Sequence, residues 1–149
     1  MPADLLREKF ACFGGFDDAE MGNILTFCDR VKVPAGTALW VEGYGENYAG
    51  FLLEGKIGIK KQTEFGGKHV VIGVYTAGSV IGELCLLTDK PRAVAADVLE
   101  SVDMVVLHSH KFEEMIEQHP LLGLRLLRHI FLSTSKRLTK SYERIASMF

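Results

Sequence analysis

The run Ile81-Gly82-Glu83-Leu84-Cys85-Leu86-Leu87-Thr88-Asp89-Lys90-Pro91-Arg92-Ala93 combines an apolar segment, a glycine, opposed charges and a proline turn. A strand ends at Gly82, a short apolar helical turn follows over residues 84–87, and a polar turn brings the chain back at Pro91-Arg92. Leu86 and Leu87 are expected to pin this loop to the interior of a β-structure. Glu83 and Arg92 then stand at the two ends of one lined pocket. Arginine offers a planar fork of donors that suits two anionic oxygens and never loses its charge. The first amides of the turn, near Leu84 and Cys85, lack intrahelical partners and favour an anion. Gly82 removes a side chain from that approach. A carboxylate beside an anion site fits if Glu83 accepts a hydrogen bond from a hydroxyl while Arg92 balances the charge. Charge and spacing alone also fit a plain Glu83–Arg92 ion pair across the loop. A surface pair is worth little and a buried one is costly to desolvate, so neither energy excludes it.

Outward from this run the pattern is short strands punctuated by glycine. Candidate strands cover residues 30–33, 38–41, 48–54, 56–62, 70–75, 79–81, 93–98 and 103–108, with breaks at Pro34-Ala35-Gly36, Glu42-Gly43, Glu54-Gly55, Gly66-Gly67, Ala77-Gly78 and Asp89-Lys90-Pro91. Without long helices between them, they predict an antiparallel β-roll of about eight strands, jelly-roll-like, rather than a βαβ fold. Helical spacing occupies the N-terminal zone, 1–29, where Asp17 or Asp18 is placed to cap a helix. Helices return in 109–149. Ser109 is placed to cap a helix through Gln118, and Pro120 to open a long C-terminal one. The expected class is mainly β with flanking helices. The 149 residues form one domain: N-terminal helices, a roll over 30–108 and C-terminal helices.

The segment 82–93 resembles the phosphate-binding cassette of cyclic nucleotide-binding domains, the family of catabolite activator proteins and protein kinase A regulatory subunits. The upstream pieces are similar in order: Val33-Pro34-Ala35-Gly36-Thr37 with Glu42-Gly43, Phe51-Leu52-Leu53-Glu54-Gly55-Lys56-Ile57, and Ala77-Gly78-Ser79-Val80-Ile81. The resemblance implies a non-catalytic sensor whose ligand is a cyclic nucleotide, with no further cofactor. It implies that Glu83 takes the ribose 2′-hydroxyl and Arg92 the equatorial phosphate oxygens. Backbone N–H groups of Leu84, Cys85 and Ala93 would complete the phosphate site, and Gly82 would give clearance. Ile72, Val74 or Tyr75, with Ile59, would pack on the base. Cys85 departs from the usual small residue at its place, and Ala95 and Ala96 from the usual residues after the arginine. Family members that prefer cGMP often carry threonine or serine directly after that arginine; Ala93 has no hydroxyl, which favours cAMP over cGMP.

On the last helix Leu124, Phe131, Leu138 and Ile145 fall seven apart, with Leu127, Thr134 and Ser141 three further on. Packing against the chain's own barrel and a homodimer seam both fit this spacing. In the activator branch of the family this helix dimerises and reaches the base, which makes Thr134, Arg137, Leu138 and Ser141 candidates for capping it. Activator-type relatives continue into a helix-turn-helix. None follows before Phe149, so a free-standing sensor, which Met1 fits, and a piece of a longer protein both stand. No nucleic-acid partner is expected from this chain, although six Lys/Arg face only Glu143 beyond residue 118. Three cysteines without CxxC spacing (Cys12, Cys28, Cys85) and the lack of a long apolar run or signal pattern predict a cytoplasmic protein without a membrane partner. His108-Ser109-His110 with Glu114 resembles half of a cupin metal motif, but the flanking glycines are replaced by Val102 and Leu121. A strand–helix junction there separates the two imidazoles, so no metal is expected. Neither a nucleophile with a base partner nor a Walker loop occurs, so no enzyme activity is expected. A domain of this fold that only dimerises is the competing reading.

Overall fold

The computed structural model of the chain describes residues 2–43, 47–64, 66–88 and 90–149, the Cys12 side chain excepted; Met1 and Asp89 of the expected polar turn lie outside the described residues. Two helices, α1 (Pro2–Lys9) and α2 (Asp18–Thr26), flank a 310 turn at Ala11–Gly15. Six strands follow: β1 (Asp29–Val33), β2 (Ala38–Trp40), β3 (Tyr48–Gln62), β4 (His69–Tyr75), β5 (Val80–Ile81) and β6 (Ala95–His108). A second 310 turn, Glu83–Leu86, sits between β5 and β6, and α3 (Ser109–Gln118) and α4 (Pro120–Ser147) close the chain. All pairings are antiparallel in the order β1-β6-β3-β4, with β2 on β6 and β5 on β3.

Among the described residues the β-roll has six strands rather than about eight, because the expected break at Glu54-Gly55 and the gap between the expected strands 93–98 and 103–108 both lie inside long strands. At Glu54-Gly55 the register of β3 on β6 shifts on both sides of Glu54, yet pairing continues. Gly55 has φ +97°, and a Cβ there would lie 2.3 Å from the Ser101 carbonyl oxygen. Only glycine lets the two strands bend against each other at this point. The irregularity also changes which residues face inward. Before it, Tyr48 and Leu52 point into the roll and Ala49, Phe51 and Leu53 towards the helices; after it, Ile57 and Ile59 point into the roll. The parity of an alternating strand has switched.

Two cores result. The roll interior joins Trp40, Leu52, Ile57, Ile81, Val98 and Met104. The opposite face of β3 and β6 meets Leu6, Phe13, Met21, Ile24, Phe112 and Leu126 of the helices. Asp17 is the N-cap of α2, in a capping box with Glu20. Ser109 is not a cap. His108 occupies that position without a side-chain bond, and Ser109 instead donates its amide to the Asn47 carbonyl at 3.0 Å. Pro120 opens α4, as its fixed φ favours. The buried stripe of α4 is Leu122, Leu126 and Ile130; no described residue beyond Ile130 is buried on it. Leu124, Phe131, Leu138 and Ile145 are all exposed. Among the described residues, no helix is long and apolar enough to cross a membrane.

Candidate functional site

Gly82 ends β5 in the left-handed region, φ +66°, and turns the chain into the 310 turn Glu83–Leu86. Residues three apart eclipse in such a turn. Leu84 and Leu87 therefore share the exposed side, while Cys85 and Leu86 are buried. The loop is pinned by Cys85 and Leu86 rather than by Leu86 and Leu87, and both anchors join the core under the helices instead of the roll interior. Burial pushes the Cys85 thiol above its ordinary range.

Arg92 folds back under this turn and is 9% exposed. Its Nη1 donates to the Gly82 carbonyl at 3.1 Å and its Nη2 to the Tyr48 carbonyl at 2.7 Å. Its own carbonyl accepts from the Gly43 amide at 2.8 Å, which ties the cassette to the β2–β3 connection. The guanidinium carbon lies 3.9 Å from the ring centroid of Trp40 and 5.3 Å from that of Tyr48. A Cβ on residue 82 would sit 2.4 Å from Nη1 and 3.0 Å from the Tyr48 oxygen. The clearance that Gly82 provides is thus occupied by Arg92 itself.

Glu83 is held by α4. Its Oε1 accepts from Thr134 Oγ1 at 2.7 Å and forms an ion pair with Arg137. Arg137 also donates to the Val80 carbonyl at 2.6 Å and lies over the Tyr75 ring at 4.5 Å. Among the described residues the ion-pair partner of Glu83 is Arg137, on α4, in place of the Glu83–Arg92 pair that charge and spacing also allowed.

A cleft of about 190 Å³ is lined by Gly82, Glu83, Leu84, Cys85, Arg92 and Ala93, together with Trp40, Ile59, Tyr75, Lys90 and Arg137. A second cleft, of about 310 Å³, shares Ile59, Tyr75 and Arg137 and adds Ile72, Thr134, Leu138 and Ser141. Of the fourteen candidate residues, all but Val74 line one of these two clefts. Val74 does not: it pairs with Gly58 on β3 and lines a neighbouring groove with Lys136 and Lys140, which shares Tyr75 and Arg137 with the second cleft. Beside it the β3–β4 register slips between Ile59 and Lys60, opposite Ile72; Ile72 borders the second cleft and Val74 does not, although both are about half exposed. Trp40, Tyr48 and Lys90 were not legible as site residues. The signal available for Trp40 was its being the chain's one tryptophan, at the end of a strand opposite the cassette.

A family model described as the cyclic nucleotide-binding domain matches residues 30–119. The "Anaerobic regulatory protein" of Bacillus subtilis (strain 168) is 29% identical over 111 residues, covering 74% of this chain and 45% of that protein. The chain thus spans less than half the length of this curated relative. A cyclic nucleotide-binding domain from Methylobacillus flagellatus KT superposes with a TM-score of 0.86 at 22% identity, covering 99% of this chain and 85% of that one. The regulatory domain of Toxoplasma gondii PKA, solved with cAMP, gives 0.63 at 24% identity, over 75% of this chain and 42% of that one. With a six-stranded antiparallel roll, the cassette between β5 and β6 and a family match over residues 30–119, the chain belongs to the cyclic nucleotide-binding domain family.

Proposed function

We propose that this chain is a cytoplasmic, non-catalytic sensor that binds a cyclic nucleotide, cAMP in preference to cGMP, and transmits binding through α4. The observation that carries the reading is the pairing, in one cleft, of a buried arginine with a carboxylate that α4 already holds. Arg92 takes the cyclic phosphate, helped by amides of Leu84, Cys85 and Ala93. Glu83 accepts the sugar 2′-hydroxyl. The base occupies the second cleft against Ile59, Ile72 and Tyr75, with Thr134 and Arg137 above it. The two cleft volumes together are of the size that small-molecule sites have. Ala93 beside Arg92 offers a guanine no hydroxyl, which favours adenine.

A hydroxyl arriving at Glu83 competes with Thr134 and Arg137 for the same carboxylate. Occupancy and the position of α4 are thereby linked, because the ligand has different interactions in the two arrangements. The helix is suited to this, since its buried anchors stop at Ile130 and the distal half is held by polar contacts. Leu124, Phe131, Leu138 and Ile145 form an exposed apolar row at heptad spacing, which supports a homodimer through α4. The same row favours the second reading, a domain that dimerises without binding nucleotide. Calorimetry with cAMP and cGMP separates the two. Heat with cAMP that disappears in Arg92→Ala, with the circular dichroism spectrum intact, supports the sensor. No heat and no thermal shift at millimolar nucleotide defeats it.

A further inference from the structure

Trp40, the chain's one tryptophan, is 4% exposed at the end of β2 and lines the cassette cleft. Its face meets the Arg92 guanidinium carbon at 3.9 Å, and its ring meets Tyr48 edge to face at 5.5 Å and 77°. An arginine buried to this degree needs compensation for its lost hydration. An indole face supplies it through its quadrupole, more strongly than a phenyl or phenol ring. A contact through the flat face of the ion uses none of its N–H donors, whereas carbonyl acceptors each take one. The ring face also fixes the plane in which those donors lie.

The indole carries a disadvantage that argues for a specific role. Its Nε1 is buried with no hydrogen-bond partner among the described residues. A buried donor left unsatisfied is unfavourable. Phenylalanine or leucine would fill the same roll-interior position without that donor. The larger and more electron-rich face is what only tryptophan brings to this place.

We propose that Trp40 is a positioning residue for Arg92: its indole face sets the plane of the guanidinium at the cleft, so that affinity for the cyclic phosphate depends on an indole at position 40. This rests on the reading of the cleft as a cyclic nucleotide site. The test is a two-by-two cycle of Trp40→Phe and Arg92→Lys, with Trp40→Leu and Val98→Ala alongside. Val98 is 2% exposed in the same roll interior and lines neither cleft, so its truncation measures core damage alone. In nucleotide-free protein, urea unfolding should show the two cycle changes to be non-additive, since each weakens the same stacking. Additive changes overturn the stacking. In cAMP titrations Trp40→Phe should weaken binding about fivefold and Trp40→Leu more than about tenfold, with Val98→Ala at the wild-type value. Equal weakening by Val98→Ala and Trp40→Phe makes Trp40 ordinary core and ends the proposal. Wild-type protein that gives no heat with cAMP instead defeats the nucleotide reading, and the nucleotide-free cycle then decides the stacking by itself.

Discussion

Gly82→Ala tests the link between the backbone turn and the arginine beneath it. The added Cβ would fall 2.4 Å from Arg92 Nη1, so the guanidinium must leave the Gly82 carbonyl, which it now meets at 3.1 Å. A hydrogen bond from a charged donor contributes about 1.5–3 kcal/mol. Alanine at φ +66° adds about 1–2 kcal/mol of backbone strain. The expected loss is about 2.5–5 kcal/mol, which moves a urea midpoint down by about 1–2.5 M for a slope of about 2 kcal/mol/M. Calorimetry on the folded variant should show cAMP affinity lost along with it. Gly22→Ala is the control, because it lies inside α2 with open space where its Cβ would be. Removing a helix-interior glycine there should stabilise by up to about 1 kcal/mol. If Gly82→Ala unfolds at the wild-type midpoint and keeps its affinity, the coupling of Gly82 to Arg92 is wrong.

Arg137→Ala removes the contacts to Glu83, the Val80 carbonyl and the Tyr75 ring, so amide exchange over residues 134–147 should accelerate while residues 122–130 stay protected. Unchanged protection would mean that those contacts do not hold the distal helix. Asp103 joins β6 to Arg30 of β1 through two bonds, at 3.0 and 2.6 Å, and the guanidinium holds its carboxyl below the ordinary 3.8. That stabilisation is complete above the unfolded value and is lost as pH falls through the folded one. Asp103→Asn should therefore cost about 1.5–3 kcal/mol at neutral pH, with the gap to wild type closing in acid; a gap that persists well below 3.8 would contradict the pairing. Phe131→Glu with Leu138→Glu places charge on the exposed heptad row, and should convert a dimer to a monomer in analytical ultracentrifugation without altering the helical signal. A wild-type protein that sediments as a monomer at all concentrations removes the dimer.

Much of the architecture was legible because it depends on short-range chemistry. Glycine breaks and alternating apolar residues marked strand positions, and Asp17-Asp18 marked the start of α2, which Asp17 caps. Glu83 and Arg92 were legible as a pair because the cassette is one continuous segment, with Gly82 and Pro91 setting its two turns. The strand count was not, since a glycine that ends a strand and one that bends it have the same local signature. Gly55 is a bend only because Ser101 and Val102 of another strand lie against it. The cleft-lining set on β4 had the same difficulty: the slip beside Ile59 depends on the partner strand, and Ile72 borders the second cleft while Val74 does not.

The sequence by itself determined the order of helical and strand zones, the cassette and its two charged residues, because each rests on residues within a few turns of one another. The tertiary structure alone decided what those charges touch. Arg92 meets Trp40, 52 positions earlier, and the Tyr48 carbonyl, while Glu83 meets Thr134 and Arg137, 51 and 54 positions later. Such partners are selected by sheet register and by where α4 crosses the roll. These follow from burial of the two cores, a property of all the elements together that no local spacing contains.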